Sequence, residues 1–339
     1  MMYTPSSPHT HSSNSISKIM FMVVAALIPG VVVATYLFGW GVIINILIAN
    51  ILALVVEAIV LRLRDKPLWP FLSDGSAVIT ATLLALSIPP YAPWWLITVG
   101  VLFAIVIAKH LYGGLGYNLF NPAMVGYAVL LISFPREMST WLLPSTLRDE
   151  VIGLNDSAQM TLGAGISAVD GISGATPLDY LKTQVGLGSS VEDIVADHPL
   201  FGMLGANGIE WISVAFLLGG LWLLHKKIIS WHIPVACLGS LAFLSWLFHI
   251  YNPELYVSPV FHLFAGATML CAFFIATDPV SASTTPSGRI FYGIGIGVLI
   301  YVIRTWGGYP DAVAFAVLLM NLCAPTIDYY TRTKVFGRG

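Results

Sequence analysis

About ten separate apolar runs dominate this chain, most of them long enough to cross a lipid bilayer, which takes about 20 residues of helix. They fall near 19–38, 41–61, 76–90, 94–111, 121–134, 211–225, 232–250, 258–276, 289–303 and 311–329. Hydrocarbon leaves few folds open to such runs, because a spanning backbone must satisfy its own hydrogen bonds as a helix or a closed barrel. Composition agrees: 57% of residues are hydrophobic and 9% charged, whereas a water-soluble surface needs about 25% charged residues. The expected fold class is an all-α polytopic membrane protein with membrane lipids as partners. A net charge of −2 offers no basic footprint, so nucleic acid is not an expected partner.

Lysine and arginine set the orientation, because short cytoplasmic loops collect them. Lys18 precedes the first run; Arg62, Arg64 and Lys66 follow the second; Lys109 ends the fourth. Lys226 and Lys227 follow the sixth, Arg289 opens the ninth, and Arg332, Lys334 and Arg338 close the chain. Placing all of these in the cytoplasm makes ten spans alternate with both termini inside; Arg304 alone dissents among the short loops. The predicted divisions are a polar cytoplasmic tail (1–18), five spans (19–134), an external or periplasmic segment (135–210), five more spans (211–330) and a cytoplasmic tail (331–339). Five spans per half force the second half to run opposite to the first, as inverted repeats do. The tail lacks a signal peptide's basic start and cleavage site, and its His9 and His11 are read as inert.

Three cysteines, Cys237, Cys271 and Cys323, lie far apart in apolar runs. They lack the spacing of an iron–sulfur or zinc site and are expected to be small buried hydrophobes. No metal site is expected. Glu57 stands about one turn from Arg62 and is a candidate interfacial ion pair.

The external segment carries Asp170-Gly171-Ile172-Ser173-Gly174-Ala175-Thr176, followed by Pro177-Leu178-Asp179. A hydroxyl, a proline and an acid in that order form a helix start, with Thr176 as N-cap. That chemistry does not explain Asp170, Ser173, Gly174 or Ala175. A second reading makes Thr176 an acceptor to which another enzyme attaches a phosphoryl-linked group. Small neighbours would admit the donor, helix-start N–H groups could hold a phosphate, and Asp170 could hydrogen-bond the hydroxyl.

The pattern Asp-x-x-Ser-Gly-Ala-Thr resembles the acceptor motif of bacterial flavin transferases. Nearly the whole chain resembles the D subunits of Rnf (Rsx) electron-transport complexes, which are related to the B subunits of sodium-pumping NADH:quinone reductases. Lys109-His110-Leu111-Tyr112-Gly113-Gly114-Leu115-Gly116, Asn121-Pro122-Ala123-Met124, Thr277-Asp278-Pro279-Val280 and Gly307-Gly308-Tyr309-Pro310-Asp311 carry the likeness. The resemblance implies FMN linked through its phosphate to Thr176. It also implies an inner-membrane component of an ion-translocating oxidoreductase of the ferredoxin:NAD type, incomplete alone. Its implied partners are a flavin transferase and further subunits with iron–sulfur centres and a second flavin.

Two polar loops are expected on the cytoplasmic side, one with Asn118 and Asn121, the other with Asp278, Ser281, Ser283, Thr284 and Thr285. Asn118 and Asn121, three apart, would share a face of a helical turn. Asn121-Pro122 also reads as a helix start and Asp278-Pro279 as a turn. The resemblance implies that Asn118, Asn121 and Asp278 contact a second, noncovalent flavin (riboflavin or FMN), their amides and carboxylate matching the donor–acceptor edge of the ring. Broken inverted-repeat helices suit a secondary transporter or channel equally well, and a membrane scaffold with an inert loop is a third class. The acceptor motif separates these from an electron carrier.

Overall fold

The computed structural model describes residues 16–148, 152–163, 173–309 and 311–332, and its regular structure is nearly all helical. Chain order begins with α1 (Ile16–Phe38), α2 (Gly41–Leu63), α3 (Leu68–Leu72), α4 (Ser76–Ser87) and α5 (Trp94–Leu102). The last passes into a π-helix over Phe103–His110, and α6 (Pro122–Ser133) completes the first set. Shorter elements follow: α7 (Pro135–Ser139), strand β1 (Trp141–Leu142), α8 (Leu154–Leu162), strand β2 (Ser173–Gly174), α9 (Pro177–Gly186) and α10 (Val191–Asp197). The second set comprises α11 (Glu210–His225), α12 (His232–Tyr251), α13 (Pro259–Phe264), α14 (Thr268–Leu270), α15 (Pro286–Trp306) and α16 (Val313–Thr331). A π-helix over Cys271–Ile275 extends α14.

Among the described residues, six helical segments are long and apolar enough to cross a membrane: α1, α2, the α3–α4 stretch, α12, α15 and α16. Three apolar helices are shorter: Trp94–His110, Pro122–Ser133 and Glu210–His225. The run at 258–276 is not one helix but two, broken at Ala265–Ala267.

Helix α2 explains why such helices suit lipid. Leu47, Ile51, Val55 and Ile59 form an exposed stripe at four-residue spacing, each more than half accessible. Asn45, Ala49, Ala53, Glu57 and Leu61 form the buried stripe. Apolar side chains face outward while the amide and carboxylate face the protein, the reverse of a soluble amphipathic helix. Inside the bundle, small residues let backbones approach: a Cβ at Gly219 of α11 would stand 2.1 Å from the Ala26 carbonyl of α1. One at Gly297 of α15 would stand 2.3 Å from the Cys237 carbonyl of α12.

Arg304, the dissenter in the charge pattern, sits with its side chain 1% accessible. It donates to the carbonyls of His262 (2.9 Å) and Ala265 (3.3 Å) and to Asp311 (3.2 Å). The arginine thus ties off carbonyls freed at the α13–α14 break, so it reports internal bonding rather than a loop's side of the membrane. Two other expectations change. Cys237 and Cys271 are buried but Cys323 is exposed on α16. Glu57 pairs with Lys109 and His110 rather than Arg62, because α2 turns that position inward.

Gly266 makes the α13–α14 break possible. Its φ is +64°, and a Cβ there would lie 2.8 Å from Leu178, 2.9 Å from Arg304 and 3.1 Å from Asp311. Gly266→Ala is therefore expected to cost about 2–3 kcal/mol through backbone strain and overpacking. Thermal unfolding in detergent would show a lower midpoint with unchanged helix content.

Candidate functional site

Thr176 stands where the two helical sets meet. Upstream, Ser173 and Gly174 form β2, paired antiparallel with Leu142 and Trp141 of β1. A side chain at Gly174 would collide with Leu143 at 2.7 Å. Gly174, one of the small residues that capping leaves unexplained, therefore has a structural role. It lets β2 lie close against Leu143, ahead of Ala175, which is exposed, and Thr176, which is half-buried. Asp170 lies outside the described residues.

Downstream, Thr176 is the N-cap of α9, its hydroxyl accepting from the Asp179 N–H (3.2 Å) and donating to the Asp179 carboxylate (3.2 Å). Leu178 and Leu181 pack α9 onto Val257, Phe261 and Ala265. Lys182 donates to the carbonyls of Ile303, Gly307 and Tyr309 at the end of α15. Burial pushes the Asp179 carboxyl above its usual range, and Asp311 adds to this, while the Thr176 hydroxyl and Lys182 pull the other way.

Thr176 opens onto a cavity of 370 Å³, within the range of about 300–1,000 Å³ that cofactor pockets occupy. Its walls come from α1 (Ala34, Phe38), α6 (Tyr127, Leu131), α11 (Phe216) and the Gly266 break. Asp179 and Asp311 supply two acids beside an otherwise largely apolar lining.

A second cavity, of 340 Å³, lies at the other end of α1, α4 and α6. Asn118, Asn121 and Asp278 all line it. They come together by a route different from the expected one. Asn118 is in a loop, not on a helical turn, and Asn121 is the N-cap of α6, accepting from the Met124 N–H at 3.3 Å. The Asn121 side chain also donates to the Ile275 carbonyl (3.2 Å), and its backbone N–H donates to Asn321 Oδ1 (2.9 Å). Asp278 accepts from the Ser281 hydroxyl (2.7 Å) and the Val280 N–H (3.4 Å). Burial pushes its carboxyl above the usual range; the Ser281 and Val280 bonds oppose that. Ser283 and Thr284 turn away from Asp278 to bond Asp328.

The donor set fits a flavin edge. Asn118 is 5% accessible and its Oδ1 has no partner among the described residues, an acceptor that a ring N–H would satisfy. Only about one helical turn separates the cavities along α6, from Ala123 to Tyr127. Phe216, lining one, meets Phe274, lining the other, edge to face at 5.9 Å.

Two residues matter in this geometry in ways their place in the sequence does not show. Lys109 registers in the sequence as a loop charge, yet it is buried, bonded to Glu57 and Ser76, and lines the second cavity. Asn321 bridges Asn121, the Ser281 carbonyl and the Tyr292 hydroxyl from a position 200 residues away.

A family model described as the NQR2, RnfD, RnfE family matches residues 3–337. Curated relatives are named as the D subunit of an ion-translocating oxidoreductase complex. The one from Aliivibrio salmonicida (strain LFI1238) is 53% identical, covering 99% of this chain and 98% of that protein. Its counterpart in Aeromonas salmonicida (strain A449) is 51% identical over 99% of both. In Pseudomonas aeruginosa (strain UCBPP-PA14) the value is 52%, over 98% of this chain and 95% of the relative.

Proposed function

The chain belongs to the NQR2, RnfD, RnfE family, and from that premise we propose that it is the D subunit of an ion-translocating oxidoreductase complex, carrying electrons on flavin. FMN is joined through its phosphate to Thr176, and a noncovalent flavin occupies the cavity of Asn118, Asn121 and Asp278. Bound flavin supplies the electron chemistry. The chain's own residues do the rest: Thr176 fixes one group at the mouth of the larger cavity, the two amides and Asp278 orient the other, and apolar walls exclude water. The observation that carries this reading is that Asn118 and Asn121 of one loop meet Asp278 of a distant loop around one cavity, where the buried Asn118 oxygen has no partner among the described residues.

Ten spans in two inverted halves, with both termini cytoplasmic in an inner membrane, complete the proposal. The breaks support it: a glycine with positive φ precedes the third span of the first half, Gly75 at 80°, and another interrupts the third span of the second, Gly266 at 64°. Beside each glycine a basic residue from the following span makes a hydrogen bond, Lys109 to Ser76 and Arg304 to Ala265. Residues 135–210 then face the periplasm with Thr176, and the Asn118 loop faces the cytoplasm. Ferredoxin and NAD as redox partners, iron–sulfur and flavin subunits alongside, and a flavin transferase for maturation belong to the same reading.

Purified protein should release one flavin fraction on acid precipitation and retain another. Asn121→Ala with Asp278→Ala is expected to remove most of the released fraction while leaving the retained one. Unchanged release would refute the noncovalent site.

A further inference from the structure

The flavin-edge pairing leaves unused the basic residue of the cavity lining: Lys109, 2% accessible at the end of the π-helix over Phe103–His110. Its ammonium lies 2.5 Å from Glu57 and 2.7 Å from the Ser76 hydroxyl, which in turn donates to Asp74 at 2.5 Å. His110 Nε2 approaches the same Glu57 oxygen at 3.1 Å. Lys109 and Ser76 line the cavity, whereas Glu57 and His110 do not. Of this ion pair only the cationic member reaches the cavity wall, which Asp278 lines as an acid from the other loop.

A π-helix is the local reason for this placement. Such segments are rare and recur at functional sites because they shift the register of side chains behind them. Arg64 and Lys66 clamp the turn that follows, donating to the carbonyls of His110 (2.7 Å) and Gly113 (3.3 Å). Lys109 is thus held from both sides.

We propose that Lys109 is the electrostatic partner of the ligand in this cavity, a planar redox heterocycle that becomes anionic on reduction. Glu57 and Ser76 are its positioning residues. A neutral oxidised ring that takes up two electrons and one proton gains one negative charge, and a fixed cation beside it favours that reduced form. In the cell the electrons come from neighbouring redox subunits; in the test they come from dithionite. This inference rests on the noncovalent flavin proposed above.

The full chain carrying Thr176→Val, purified with its noncovalent flavin, isolates that flavin's spectrum for a reductive titration. Adding Lys109→Met is expected to shift the two-electron equilibrium about tenfold toward the oxidised ring, about 30 mV. Lys109→Met with Glu57→Gln removes both charges, leaves no unpaired buried ion, and should shift it in the same direction by less. Lys109→Arg should stay close to the parent. An unshifted midpoint in Lys109→Met or in the double variant overturns the role of Lys109 alone. A parent chain with no noncovalent flavin overturns the flavin reading and this inference with it.

Discussion

If the proposed linkage is right, Thr176→Val is expected to abolish covalent flavin attachment to this protein completely. After co-expression with a flavin transferase, the denatured wild-type band should fluoresce yellow-green on a gel under ultraviolet light, and the valine variant should be dark. Valine keeps the shape of threonine and removes the only atom able to form the phosphoester. The cost to folding is small. Losing the N-cap hydroxyl of α9 costs about 1 kcal/mol, and α9 remains anchored by Leu178, Leu181 and Lys182. Thr161→Val is the matched control: Thr161 is fully buried on α8, away from the strand that presents Thr176, and should leave the band intact. Fluorescence persisting in Thr176→Val would move the attachment elsewhere, and a dark wild type would favour a solute transporter or a scaffold.

The second large effect is expected at Arg304. Replacing it with methionine keeps most of the side-chain volume but strips donors from the carbonyls of His262 and Ala265 and from the Asp311 carboxylate. Breaking a buried ion pair from one side costs about 3–5 kcal/mol, and the low end applies here because the Asp311 side chain left behind is 24% accessible. Asp311 would retain only the N–H groups of Ala267 and Val313. Arg304→Met should therefore unfold at a markedly lower temperature in detergent. Arg304→Lys should fall between the two, since an ammonium keeps the charge without the guanidinium's planar fork. If methionine leaves the unfolding midpoint unchanged, Arg304 does not hold the α13–α14 break together. Because Asp311 and Gly266 also line the Thr176 cavity, the same variant should distort the surroundings of Thr176 without touching Thr176 itself.

Legibility of the fold followed the length of its signals. Helices α1, α2, α12, α15 and α16 each bury or expose long apolar stripes, so hydropathy alone finds them. The α13–α14 region reads as one continuous apolar run because hydropathy cannot register a positive φ at Gly266, nor an arginine 38 residues onward that satisfies the opened backbone. For the same reason Arg304 resembles a topology signal. A loop charge and a buried charge look identical in sequence, and only packing separates them.

At the site, Thr176, Pro177 and Asp179 are readable as a helix start because capping is local chemistry among residues three apart. Ser173 and Gly174 resist that reading since their partner is β1, some 30 residues earlier. Asn118, Asn121 and Asp278 can be proposed together through family likeness, but their meeting around one cavity depends on two loops packing against each other.

The sequence by itself determined that this chain is helical, lipid-facing and furnished with a threonine built to begin a helix, because hydrophobic length and capping act over short spans of chain. Tertiary structure alone decided which charges are buried, that Lys109 leaves solvent to pair with Glu57, and that Thr176 opens onto a cavity between two sets of helices. Those outcomes depend on side chains that are far apart in sequence and meet where water is excluded, and pairwise electrostatics there are set by position rather than by residue type.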